Sequence, residues 1–574
     1  MLGAADAFKS IATEFPTSKV ADRGWFSAAE CYEATGNSDQ ASATFQELAQ
    51  KFPQSTLREN AFIRAADGFK KIEKWDKAAA VYQAAALSIT KPDYAIPSLS
   101  YAAEAYQKVN DFENAGKMFE MVFERYAKDP KTPQALYNAG LIYEKGKAYE
   151  KALRAYTVLT QNFPQSEFAA EAYFSIGLCY EKMGKHVEMA GVFSDFARKY
   201  ENDKYKQVEA LTKAGDAYFN LNDFKEAQKD YDLAIAVYEK FKGKTDIDVA
   251  LIAKAYYMEG EILYKAFSNI SLLGNVKQVK ENLKDKEKAL KDAAGPYAKA
   301  IEVGVEEWTV RSTYRIGLSF VDFADAIENQ SIEGSTEQKM AAKIKILMSL
   351  DKYYTGAMKY FQKNIEWAYD QNISGEYVTK SMDMFMKMLF LRANSIEKVG
   401  VILKASPIPR DLSPDEKKSY KEVLEEKALE AMDKALPLYE EAIKTAAQLG
   451  IAKSEWLDKA RDRIKEIQPN SEALNIQITP HQFKVEPVAA TVASAAMGKP
   501  AASNAVAATP EASENKPVQI RDDQYQRNMK RIQNIIQLDI PVDDKVKKLK
   551  RIEIEAERDI GTEEEKVQEL KKKL

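Results

Sequence analysis

Apolar and polar positions in the first 245 residues follow a helical spacing, and the spacing repeats on a fixed beat. One aromatic series runs Phe8, Phe45, Tyr82, Phe119, Tyr156, Phe193, Tyr231, and a second runs Tyr32, Phe69, Tyr106, Tyr143, Tyr180, Tyr218. Successive members stand 37 residues apart (45 − 8, for example), except the last step of each series, which is 38. The extra residue therefore falls between Phe193 and Tyr218, and we place it in the loop around Glu201–Tyr205.

Small residues keep the same beat. Ala29, Ala66, Ala103, Gly140, Gly177 and Gly215 precede the second series by three positions. Ala4, Ala41, Ala78, Ala115, Ala152 and Ala227 precede the first series by four, with Met189 as the one departure. Those offsets place each small residue and its aromatic on one helix face. Each unit thus predicts two amphipathic helices that approach closely at the small residue. In the fourth unit they are Gln134–Lys145 and Tyr149–Asn162, with the turn at Gly146. Pro164 stops the second helix, and Ser166 is placed to cap the next one. The string Phe-Pro-Gln-Ser occurs at Phe52–Ser55 and Phe163–Ser166, with Phe-Pro-Thr-Ser at Phe15–Ser18.

The small–x–x–Tyr of the first helix and the Ala–x–x–x–aromatic of the second resemble the tetratricopeptide repeat. Aromatics in the turn between them (Trp75, Phe112, Tyr149, Phe224) and the closing Pro support the resemblance. The period of that family is usually about 34, and three further residues make nearly one helical turn, which keeps the buried face in phase. The longer unit ending in Phe-Pro-x-Ser is similar to a bacterial envelope subfamily that includes the outer-membrane assembly lipoprotein and the Tol-Pal coordinator. The resemblance implies an all-α fold, a right-handed α-solenoid of helix hairpins. It covers residues 1–245 as a half repeat plus six repeats. Ala4, Phe8 and Pro16 occupy second-helix positions, so we expect a further first helix, and room for an export signal, upstream of Met1.

Beyond residue 245 the beat loosens. Tyr297–Ala300–Ile301 and Tyr439–Ala442–Ile443 echo Tyr231–Ala234–Ile235, and Phe361–Asn364–Ile365 is a weaker echo. Gly317 with Phe320 repeats the first-helix pair. Ser413-Pro-Asp-Glu416 is a capping box that starts a long helix toward Leu449. We expect a divergent helical-repeat region over 246–475 and an Ala/Pro-rich disordered linker over 476–518. A helical hairpin or coiled-coil element, divided by Pro541, follows over 519–574.

Composition narrows the chemistry. With 83 basic and 87 acidic side chains the net charge is −4, which offers no electrostatic case for nucleic acid. No run of about 18 apolar residues predicts a transmembrane helix. Cys31 and Cys179 each precede a first-helix tyrosine, four periods apart (179 − 31 = 148), too far for a disulfide in an unbent array. They read as small packing residues. His186 occupies the turn position of Trp75 and Phe112 and reads as an aromatic substitute, while His481 falls in the linker. No Cys/His cluster, triad or phosphate loop points to a metal, a cofactor or a catalytic residue. Lys71, Lys108, Lys145 and Lys182 share one repeat position and form either a basic ladder or a solvated face.

On the resemblance, the chain binds protein or peptide partners in a concave groove lined by first helices. That lining includes Arg64, Asp67, Tyr101, Glu104, Tyr137, Asn138, Phe174, Lys213 and Asp216. The expected function is a non-enzymatic scaffold that assists assembly of a bacterial cell-envelope complex, located in the periplasm or at the outer membrane. Alternatives are a cytoplasmic adaptor or co-chaperone, and a structural homo-oligomer that self-associates through the C-terminal helices. An enzyme site in the divergent half has no recognisable arrangement of polar residues.

Overall fold

The computed structural model describes residues 2–482, and every described residue is in helix, turn or connecting chain. The expected linker past residue 482 and the helical pair at 519–574 lie outside the described residues. The chain forms two compact units, which divide at Asp223/Phe224.

Unit 1 opens with α1 (Leu2–Glu14). Five hairpins follow: α2 (Ala21–Ala34) with α3 (Ser38–Lys51), α4 (Arg58–Lys71) with α5 (Trp75–Ser88), α6 (Pro92–Lys108) with α7 (Phe112–Tyr126), α8 (Thr132–Lys145) with α9 (Tyr149–Asn162), and α10 (Ala169–Lys182) with α11 (His186–Lys199). The unit ends with α12 (Lys204–Asn220). Each helix packs against the ones before and after it in the chain, the arrangement of an α-solenoid. One continuous core runs from Ala12 to Cys179 and buries Phe45, Phe69, Tyr82, Tyr143 and Tyr156.

The pairing of small residue and aromatic is physical contact. A β-carbon on Gly140 would stand 2.2 Å from the Tyr156 ring, and one on Gly177 would stand 2.6 Å from Phe193. Three local expectations change. The turn between paired helices is made by one left-handed residue at a constant position, namely Gly36, Glu73, Asn110, Lys147, Gly184 and Asn222. In the fourth repeat that residue is Lys147. Gly146 keeps a negative φ, and its missing side chain admits Phe112, whose Cβ lies 2.7 Å from where a β-carbon would be. Ser166 stands two residues before the N-cap Phe168 and accepts a bond from its backbone N–H, so it shapes the turn instead of capping the helix. The expected insertion region at 201–205 straddles the start of α12, which begins at Lys204 behind an Asp203 cap instead of lying wholly in a loop.

Unit 2 contains α13 (Phe224–Phe241), α14 (Val249–Asn269), α15 (Val276–Val303), α16 (Glu306–Glu328), α17 (Thr336–Ser349), α18 (Asp351–Asp370), α19 (Glu376–Lys404), α20 (Pro414–Gln448) and α21 (Glu455–Ile467). The capping box that starts α20 forms as expected, with Ser413 N–H on Glu416 Oε2 at 2.8 Å and Glu416 N–H on Ser413 Oγ at 3.4 Å. Tyr297, Phe361 and Tyr439 are buried on α15, α18 and α20. A β-carbon on Gly260 of α14 would meet Tyr297, and one on Gly317 of α16 would meet Phe361. Longer arms therefore carry the same glycine-on-ring contact as the repeats of unit 1.

These rings sit in three hairpins of unit 2, α14 with α15, α16 with α18 and α19 with α20, and the first and third share a polar feature that the middle one lacks. Tyr297 donates to Glu261 Oε1 at 2.6 Å, and Arg315 clamps both carboxylate oxygens at 2.6 Å. Tyr439 likewise donates to Glu397 at 2.8 Å, with Arg463 against the same carboxylate. Where the ring is Phe361 there is no hydroxyl, and Leu318 follows Gly317 where Glu261 follows Gly260.

Candidate protein-binding face

First helices of successive hairpins lie side by side in unit 1, joined by charged side chains. Arg64 of α4 reaches Glu30 on α2 at 2.9 Å and also pairs with Glu33. Lys70 of α4 reaches Glu104 on α6, and Lys213 of α12 reaches Glu181 on α10, each at 2.9 Å. Burial works against the Lys213 charge, and the neighbouring Glu181 and Glu209 outweigh it, so its pKa is raised. Asp67 accepts the Tyr82 hydroxyl. Burial first, and that carboxylate second, raise the pKa of Tyr82 well beyond the ordinary tyrosine range.

Seven of the nine expected groove residues keep accessible surface: Asp67 and Tyr101 are exposed, and Arg64, Glu104, Asn138, Lys213 and Asp216 are half-buried. Two do not. Tyr137 is 3% exposed and packs on Tyr156 and Phe168, with ring centroids 5.8 and 5.6 Å away. Phe174 is 1% exposed between Phe193 and Phe196. The reason is rotation. Tyr137 stands one residue before the outward position shared by Arg64, Tyr101, Asn138 and Lys213, and one residue turns a helix by about 100° into the core. Phe174 precedes Ser175, which takes that position in its repeat and is itself fully buried.

The other outward position was missed in part. Asp67, Glu104, Leu141, Leu178 and Asp216 occupy it on the repeat's own beat, and Leu141 and Leu178 are half-buried there. The period carried this signal, since 104 + 37 = 141 and 141 + 37 = 178. Tyr101 is 47% exposed, with its ring 5.4 Å from Tyr82 and Lys70 Nζ 5.2 Å from its centroid. Tyr101, Asn138, Leu141 and Leu178 therefore make an uncharged window, flanked by Lys70–Glu104 on one side and Lys213–Glu181 on the other.

Two of the four repeated lysines have a structural use. Lys108 lies over Trp75 and Lys145 over Phe112, 5.9 and 5.7 Å from the ring centroids, so each ties its helix to the turn aromatic of the preceding hairpin. His186 begins α11 as Trp75 begins α5, in the turn-aromatic position. Neither Cys31 nor Cys179 is in a disulfide. Among the described residues no group of three or more His, Cys, Asp or Glu is placed to hold a metal ion. No described helix is long and apolar enough to cross a membrane.

Family models describing the tetratricopeptide repeat match residues 24–55, 102–167, 171–203 and 208–241. No curated protein matches the chain. Solved structures similar to it include BtubC from P. vanneervenii, 17% identical, covering 37% of this chain and 93% of that one at a TM-score of 0.24. MamA protein is 17% identical, covering 34% and 99% at 0.25. A tetratricopeptide repeat protein from Parabacteroides merdae is 16% identical, covering 52% and 98% at 0.21. Four matched stretches on a helix-hairpin array with a 37-residue beat lead to one conclusion: this chain carries tetratricopeptide repeats, a fold that serves as a scaffold for protein–protein interaction.

Proposed function

We propose that the chain is a non-enzymatic scaffold that assists the assembly or organisation of a bacterial cell-envelope complex, holding protein segments on the first-helix face of unit 1. The observation that carries the binding reading is the uncharged window of Tyr101, Asn138, Leu141 and Leu178. An exposed aromatic beside half-buried leucines is the composition of an interface centre, where charge is depleted and aromatics are enriched. The flanking cations are already paired within the chain, so an anchoring partner would insert apolar side chains and leave the ion pairs intact. The envelope assignment is supported by the longer repeat unit and its Phe-Pro-x-Ser ending.

A photo-crosslinking amino acid at position 101, introduced in the source organism, tests both parts. Capture of a small set of envelope proteins supports the proposal. Capture of cytosolic chaperones or their clients would replace it with the adaptor reading, and capture of the chain by its own copies would replace it with the homo-oligomer.

A further inference from the structure

Packed chain continues past Ile476, where the linker was expected to begin. After α21 a short 3₁₀ turn, Glu472–Asn475, is fixed by buried Ser471 and Ala473. The Ser471 hydroxyl donates to Glu440 Oε1 at 2.5 Å. Residues 476–482 then run without helix along unit 2. Leu474, Ile476 and Ile478 are half-buried against its core, while Asn475, Gln477 and Thr479 are exposed, the two-residue alternation of an extended chain with one face inward.

The far end is fixed by a clamp. The His481 ring stacks on Tyr369 with centroids 3.5 Å apart and planes 10° from parallel, and its backbone N–H donates to the Gly450 carbonyl at 3.1 Å. Tyr369 is itself held, its hydroxyl donating to the Leu449 carbonyl at 2.6 Å. Gly450 has φ of +63°, and a β-carbon there would lie 2.6 Å from the His481 nitrogen. Only glycine meets both demands, so the loop after α20 is shaped for chain lying across it.

The place this segment occupies is where a second helix would come. Arg463 on α21 reaches Glu397 as Arg315 on α16 reaches Glu261, so α21 stands as the first helix of a further hairpin. A strap follows it in place of the partner helix. Its hold beyond Asn475 includes two half-buried isoleucines, a stacked ring and a backbone hydrogen bond, over a core that is fully buried at Ile443, Ala446, Leu457 and Ile464.

We propose that residues 476–482 occupy, in cis, a binding site for an extended segment of the form Ile-x-Ile-x-x-aromatic, and that they yield it to a segment of that chemistry from a partner protein. The strap is the site's resident ligand, and its own sequence states what the site accepts. Ile476 and Ile478 fill the apolar part, and the ring at position 481 stacks on Tyr369.

The test uses a labelled peptide of residues 470–482 and two full-length proteins, the unmodified chain and an Ile476→Asp/Ile478→Asp/His481→Ala variant, read by fluorescence anisotropy. The variant should bind the peptide at least about tenfold more tightly, because its own strap no longer competes, and a peptide with the same three substitutions should not bind. Equal affinity for both proteins, or no binding by the variant, overturns the proposal. Hydrogen exchange in the unmodified chain gives a check independent of the variant's folding. Amides of 476–482 should exchange at least about tenfold faster than those of α20, and equal protection would also overturn it, since no partner could then enter.

Discussion

The Tyr297 ring fills the space that a side chain on Gly260 would need, with its Cε1 2.5 Å from where that β-carbon would stand. The contact joins α14 to α15 in unit 2 and matches Gly140 on Tyr156 in unit 1, across helices of quite different length. Gly260→Ala forces the ring or the helix to move. It should cost about 1–3 kcal/mol, the usual range for overpacking a filled core, in urea melts of the full chain. A loss below about 0.5 kcal/mol would mean that the glycine is incidental.

Glu261 is the second feature of this joint. It is 8% exposed and bonded to both Tyr297 and Arg315. Burial works against the Arg315 charge, the bonds to Glu261 outweigh it, and the net result is a raised pKa. Glu261→Ala leaves the guanidinium without its partner and should cost about 3–5 kcal/mol. A triple change, Glu261→Leu with Tyr297→Phe and Arg315→Met, imitates the apolar joint at Leu318 and Phe361 and should fall within about 1 kcal/mol of the parent. If the triple variant is as damaged as the single one, the middle hairpin is not the equivalent of the first.

The neighbouring carboxyl predicts a pH dependence. Glu259 is pushed up to about 8, first by burial and then by its hydrogen bond to Asp232 on α13, with Lys299 on α15 pulling the other way. The folded state thus holds a proton that the unfolded chain releases near 4.5. The stabilisation is complete below that pH and is lost as pH rises through 8. Urea midpoints should therefore fall between pH 5 and pH 8 with a slope of up to about one proton, and Glu259→Gln should flatten that slope. An unchanged slope in the variant would assign the dependence to other groups.

How much of this was legible in the sequence depends on which side chains had to repeat. The ring and small-residue series define the buried faces, so the hairpins, six of the seven rings in the first aromatic row and even the long-armed echoes at Tyr297 and Tyr439 could be read directly. The exception is Phe8, which is 43% exposed on α1. The turns could not. Left-handed backbone at Glu73, Asn110, Lys147 and Asn222 is imposed by the closure of the two helices, with no glycine to announce it. Tyr137 and Phe174 belong to the core and not to the groove, because an aromatic on a first helix serves the core as readily as the surface. Leu141 and Leu178 look like core residues in the sequence, although they occupy an outward position. The packed strap at Ile476–Gln482 was hidden by the polar, Pro-containing composition in which it sits.

The turn residues give a prediction of the opposite sign. Lys147 is exposed and left-handed, a conformation that costs a side-chain-bearing residue about 1–2 kcal/mol. Part of that gain is offset by the extra freedom of unfolded glycine, so Lys147→Gly should stabilise by up to about 1 kcal/mol in thermal melts. Destabilisation would show that the lysine side chain, and not the backbone, holds the turn.

The central claim is that the uncharged window on the first-helix face holds protein partners. It is tested most directly by the yield of partner crosslinked from position 101 in the full chain carrying Leu141→Asp and Leu178→Asp, with Tyr137→Ala as the contrast. Tyr137→Ala should lose about 3–5 kcal/mol of stability, as a buried core ring does. The leucine variant should keep its helical content and melt cooperatively, yet lose at least about tenfold in crosslinked partner, equivalent to one or more kcal/mol of binding. A folded leucine variant that captures the same partners at the parent's yield would contradict the account and place the binding surface elsewhere on the chain.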